Sequence, residues 1–158
     1  MAAADPLPPL PPIEERYSFL MHRINAHMAR ICNPMFRHWQ VDIDMARMLV
    51  VLKQEGAMAA GDIVRFMALP QSTVSHQLKR LEKLGYVERF IGAKDSRVMV
   101  ASLTARGREV AEESNELSRK VTSAMVEAIA DMDGVAVRTA LKTMDRVLAD
   151  LREVEQEQ

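Results

Sequence analysis

The chain has 158 residues, 48% of them hydrophobic, with 21 Lys and Arg against 22 Asp and Glu. This is enough apolar material for a packed core, which excludes a disordered chain, and no apolar run approaches the about 18 residues of a membrane span. The single cysteine excludes an internal disulfide framework and fits a reducing compartment, the cytoplasm.

Residues 1–12, rich in proline and alanine, read as a flexible or extended arm without the basic and apolar regions of a secretory signal. A first helix is expected from about Ile13, because Tyr17, Leu20, Met21, Ile24, Met28, Ile31 and Met35 keep helical spacing. Asn33-Pro34 should end or kink it. A second helix is expected from Asp42, a good N-cap, to Gln54, with Met45, Met48, Leu49 and Leu52 inward. Gly56 punctuates, and residues 59–69 predict a short helix with Ile63, Phe66 and Met67 inward.

The next helix starts near Pro70. Val74, Leu78 and Leu81 form an apolar stripe at i, i+4 and i+7. Ser72, His76, Lys79 and Lys83 project from the opposite face, with Thr73 and Arg80 on its flank. Gly85 is a natural stop. Two strand-like runs, 86–91 and 97–103, are joined by Gly92-Ala93-Lys94-Asp95-Ser96, a hairpin turn with a charged tip. Thr104 caps a long helix through about Met132, lined by Val110, Leu117, Val121, Met125, Ala128 and Met132. Asp131-Met132-Asp133-Gly134 breaks it, and a last helix carries Val137, Leu141, Met144, Leu148 and Leu151. The expected fold is mainly α with a small β-hairpin wing: a winged helix-turn-helix over 41–103, flanked by long dimerisation helices over 13–40 and 104–158.

Charge is unevenly spread. Residues 1–70 carry seven basic and seven acidic side chains, residues 71–108 eight and three, and residues 109–158 six and twelve. The positive excess therefore falls on the segment where a polar helix and a cationic hairpin follow one another, the arrangement of a DNA reader.

Four runs in order carry a family resemblance: Ser72-Thr73-Val74-Ser75, then Leu81-Glu82-Lys83-Leu84-Gly85-Tyr86-Val87-Glu88-Arg89, Asp95-Ser96-Arg97, and Ser102-Leu103-Thr104-Ala105-Arg106-Gly107-Arg108. Together they resemble the recognition helix, helix-to-strand passage, wing and exit helix of the MarR family of bacterial transcriptional regulators. Pro70 stands where that family usually carries a capping Ser or Asp, and Ser96 replaces a second wing arginine of many members. The resemblance implies a homodimer knitted from terminal helices and holding two reading heads. The apolar stripes of the first and last two helices, longer than one reading head can cover, point the same way.

A two-fold dimer would present its recognition helices roughly 34 Å apart, so the expected partner is a near-palindromic double-stranded operator. Gln71, Ser72, Thr73, Ser75 and His76 are the candidates for base edges. Lys79, Arg80 and Lys94 supply further cations. By the resemblance Arg97 is the wing residue aimed at the minor groove, with Asp95 holding it or tightening the turn; a simple ion pair across the hairpin is the alternative.

An effector site is expected beside the first helix. With Ile24 at zero and about 100° per residue, Arg16, Arg23, His27 and Arg30 fall between about 240° and 300°. This cationic strip edges the apolar stripe, which suits a small anionic molecule such as an aromatic acid or its thioester. The resemblance implies effector-controlled release of DNA; the same strip could instead pair with the acidic carboxy-terminal helices and staple a dimer.

No nucleophile–base pair, paired carboxylate site or phosphate loop shows, so no enzyme activity, catalytic residue or cofactor is expected. No pair among His22, His27, His38 and Cys32 has the i, i+4 spacing of a helical metal site, and no metal is expected. A metal- or thiol-responsive regulator on the same fold, or a protein-binding adaptor with a degenerate DNA head, remain the alternatives. Cys32 lies at the far end of the first helix and reads as a buried, inert thiol.

Overall fold

The computed structural model describes residues 9–92 and 98–156, with side chains through 151. The chain divides into two compact units, Met1–Asn115 and Glu116–Gln158. A 3-10 turn at Ile13–Glu15 precedes helix α1, Tyr17–Phe36, and a second 3-10 turn, Arg37–Trp39, leads to α2, Ile43–Glu55. Strand β1, Met58–Ala59, runs into α3, Ala60–Met67, and α4 covers Gln71–Lys83. Strands β2, Val87–Ile91, and β3, Met99–Leu103, precede α5, Ala105–Ala128, and α6, Gly134–Gln156.

Most expected elements form for local reasons. Asp42 Oδ1 accepts from the Met45 N–H at 2.9 Å and starts α2. Thr104 Oγ1 accepts from the Gly107 N–H at 3.0 Å and starts α5. Pro70 offers α4 no side-chain cap. A missing cap costs about 1 kcal/mol, and Val74, Leu78 and Leu81, all buried, each return about 1.5–3 kcal/mol. The stripe therefore decides the helix.

Several expectations are corrected. The first helix starts at Tyr17, after a 3-10 turn at Ile13. Asn33-Pro34 does not end it: α1 continues to Phe36 and then tightens into 3-10 geometry. Pro34 sits in the last turn, where its missing donor removes one bond, while Asn33 Oδ1 accepts from the Ile43 N–H at 2.9 Å and Phe36 is buried. Phe66, expected inward, is 55% exposed; only Ile63 of that helix is fully covered. The long helix stops at Ala128, four residues early.

The wing is more than a hairpin. The sheet has three antiparallel strands in the order β1-β3-β2, with Met58 opposite Ala101 and Val87 opposite Leu103. The two residues of β1 lock the base of the wing to the start of α3. The core lies beneath it in the first unit, built from Phe36, Met45, Met48, Leu49, Ile63 and the α4 stripe. In the second unit the Val135 N–H donates to Asp133 Oδ1 at 2.9 Å and opens α6, along which Leu141, Leu148 and Leu151 stay exposed.

Candidate nucleic-acid interface

Burial of the α4 stripe forces the other side of that helix outward. Gln71, Ser72, His76, Lys79 and Arg80 are exposed, and Thr73 and Ser75 are half-buried at its edge. The amino-terminal half of α4 thus offers amides, hydroxyls and an imidazole, the group types that read base edges.

The helix is stopped firmly. Gly85 lies at φ +76°, its N–H donates to Glu82 O at 2.9 Å, and the Tyr86 N–H donates to Leu81 O at 3.0 Å. This is a Schellman motif, with Leu81 and Tyr86 as its buried apolar contact. It turns the chain directly into β2, so recognition helix and wing hold a fixed relation. The α3–α4 turn pivots on Ala68, in the left-handed region at φ 52°.

In the wing, β2 and β3 pair from Val87↔Leu103 to Ile91↔Met99, and the Gly92 N–H donates to Val98 O at 2.8 Å. Lys94, Asp95 and Arg97 lie outside the described residues. Between α4 and the wing base runs a cleft of about 360 Å³, bordered by Gln71 and Ser75, by Gly61 of α3, and by Arg89 and Met99 of the strands. Arg89 was not singled out from the sequence. It is paired to Glu82 on α4 through Nε at 2.8 Å, and only the alternation of β2, with Val87 inward, could have hinted at its direction.

Arg80 behaves differently from its neighbours. Its Nη2 donates to Gln40 O at 2.8 Å, across to the link between α1 and α2. Gln77, passed over in the sequence, is buried on the same helix, and its Oε1 has no hydrogen-bond partner among the described residues.

Arg23, His27 and Arg30 are exposed along α1, and Arg16 donates from Nε to Pro11 O at 2.9 Å. A separate cavity of about 450 Å³ also borders α1, but it is lined by Asn25 and Ala29, by Ile43, Asp44 and Arg47 of α2, and by Met67 and Leu69. The cationic strip and this cavity occupy different faces of one helix. Cys32 is buried, and desolvation pushes its thiol above the ordinary range against a smaller opposing pull from Arg47. Among the described residues, no three His, Cys, Asp or Glu side chains gather closely enough to hold a metal ion, and no helix is long and apolar enough to cross a membrane.

Residues 46–99, from α2 into β3, match the model of the MarR family. A curated relative is the uncharacterised HTH-type transcriptional regulator YfiV of Bacillus subtilis (strain 168), 26% identical over 115 residues, 72% of each chain. Among solved structures, the S. aureus MepR–DNA complex superposes with a TM-score of 0.71 at 19% identity, over 86% of this chain and 98% of that one. A MarR family transcriptional regulator of Silicibacter pomeroyi DSS-3 gives a TM-score of 0.71 at 23% identity, over 86% and 97%. The segment from α2 to β3 thus matches the MarR family model, and along the chain the fold is the winged helix-turn-helix of these solved structures.

Proposed function

We propose that the protein is a dimeric, cytoplasmic DNA-binding transcriptional regulator, a repressor that holds a palindromic operator and releases it when a small anionic or aromatic molecule binds. The observation that carries this reading is the outer side of α4. Gln71, Ser72 and His76 stand exposed at the end of a helix whose stripe, stop and adjoining wing are all fixed by buried contacts. MepR, whose fold the chain shares, was solved on DNA. The proposed dimer is supported by apolar side chains left exposed on α1, where Tyr17 is 71% and Ile31 53% exposed, and on α6. The buried Cys32, with its thiol pushed up, weighs against thiolate-based sensing.

Two measurements test this reading. Sedimentation should give a dimer at micromolar concentration. Mobility shift on the DNA upstream of the protein's own gene should show a specific complex that weakens steeply with salt, as displaced counterions require. Within that complex, Ser75→Ala and His76→Ala should change base preference more than salt slope, and Arg97→Ala should weaken binding while the fold is kept. A monomer that shifts no fragment would overturn the proposal.

A further inference from the structure

The carboxy-terminal end of an α-helix leaves carbonyls without intrahelical donors. At the end of α1 the Arg37 N–H donates to Pro34 O, and the chain runs on into the 3-10 turn Arg37–Trp39, where the Gln40 N–H donates to Arg37 O at 3.0 Å. Gln40 then takes a left-handed conformation, φ 60° and ψ 28°. The two carbonyls at the end of that turn, of Trp39 and Gln40, are met from the end of the recognition helix: Tyr86 Oη donates to Trp39 O at 3.1 Å, and Arg80 Nη2 to Gln40 O at 2.8 Å. The acceptors are held firmly. The Trp39 ring lies 6.0 Å from that of Phe36, which is buried in the last turn of α1, and Val41 is buried on the other side. The donors are held as firmly, since the Tyr86 ring is buried and Arg80 lies one residue before Leu81 of the buried stripe.

We infer that Arg80 and Tyr86 cap the 3-10 turn between α1 and α2 and thereby set the orientation of α4, so that Arg80 serves DNA binding as a positioning residue and not as a phosphate contact. A guanidinium directed at a backbone carbonyl has one of its donor edges spent there. Arg80 is the tenth residue of a thirteen-residue helix, whereas base reading falls to the first turns of a recognition helix. A small rotation about this far end displaces Gln71 and Ser72 most, because they lie farthest from it. Loss of the tether therefore costs specific binding while leaving the count of neutralised phosphates unchanged.

This inference rests on the DNA-binding function proposed above, and the test separates the two. A duplex is recovered from a random-sequence pool by the full-length wild-type protein, and affinity is measured across salt for it and for an unrelated duplex of equal length. Arg80→Gln should weaken the selected duplex about tenfold or more, with the salt slope unchanged and the unrelated duplex altered less than about twofold. Tyr86→Phe keeps the buried ring and should shift the same readings in the same direction to a smaller extent. The double variant should fall short of the sum, since both donors hold one turn. If Arg80→Gln does not fold, Tyr86→Phe carries the test on the same readings. A salt slope lower by about one, with both duplexes weakened alike, makes Arg80 a phosphate contact and overturns the inference, as does unchanged affinity for both. A wild-type protein that recovers no duplex overturns the proposed function itself.

Discussion

Arg89 Nε donates to Glu82 Oε2 at 2.8 Å, which joins the first wing strand to the last turn of the recognition helix by side chains as well as by the Schellman turn between them. The Arg89 side chain is only 21% exposed and that of Glu82 40%. A pair this close to solvent contributes about 0.5–1 kcal/mol, too little to hold the wing by itself. Its other consequence is electrostatic. Glu82 neutralises a cation that borders the cleft beside Gln71 and Ser75. Glu82→Gln should therefore cost less than about 1 kcal/mol in urea unfolding, yet bind an unrelated duplex roughly twofold or more tighter at low salt. Destabilisation beyond about 2 kcal/mol would mean that the pair holds the wing after all.

The entry to α5 is a sharper structural constraint. A Cβ on Gly107 would stand 1.9 Å from Tyr86 O and 2.8 Å from its carbonyl carbon. The same carbonyl accepts from the Thr104 N–H at 3.1 Å, and Thr104 Oγ1 donates to Gly85 O at 2.7 Å. The first turn of α5 is thus seated directly on the backbone that leaves the recognition helix. Gly107→Ala must push them apart, at a cost of about 2–3 kcal/mol. A lower urea midpoint with an unchanged m-value is the expected signature. A loss below about 0.5 kcal/mol would show that the helix start shifts freely.

What the sequence made legible is what short-range chemistry dictates. The Val74, Leu78 and Leu81 stripe, the Gly85 stop and the Asp42 and Thr104 caps depend on neighbours within a few residues, and the structure has each of them. What stayed hidden depends on distant partners. Strand β1 is two residues long, too short for any alternation, and exists only because Met58 and Ala59 meet Ala101 and Val100. Phe66 has the spacing of a core residue, but α3 is short and Ile63 alone reaches the core. Arg80 looked like one more cation on a polar face, and its partner lies forty residues back in the chain. The assignments of Lys94, Asp95 and Arg97 fall outside the described residues.

Cys32 yields a pH prediction. Burial raises the thiol above its ordinary range in the folded chain, with Arg47 pulling weakly the other way. The folded state therefore keeps the proton more tightly than the unfolded state. Stability from this group is fully present below the unfolded thiol value of about 8.5 and is lost as pH rises through the folded value. Unfolding free energy should fall from about pH 8.5 upward, and Cys32→Ala should remove part of that slope. The native thiol should also react with an alkylating reagent far more slowly than the urea-unfolded one. Rapid labelling of the folded protein at neutral pH would contradict both expectations.

The proposed effector can be located by two arginines on different faces. On α1 the exposed strip of Arg23, His27 and Arg30 lies at about 240° to 300° from Ile24, whereas Asn25 and Ala29, which line the 450 Å³ cavity, lie at about 100° and 140°. The cavity has its own cation, Arg47, but that guanidinium already donates to Asp44 at 3.3 Å. An anion entering there must compete with a carboxylate, so the strip is the expected site. A molecule that releases DNA must bind the free form better, and DNA must weaken its binding by the same factor. Titrating aromatic acids and their thioesters, with and without operator, measures both factors. Arg23→Ala should weaken the active compound about tenfold, the scale of one charge-assisted contact, and Arg47→Ala should leave it nearly unchanged. The opposite pattern would move the site into the cavity. If no compound alters operator affinity and Arg23→Ala dissociates the dimer, the strip binds the partner subunit and no effector acts through it.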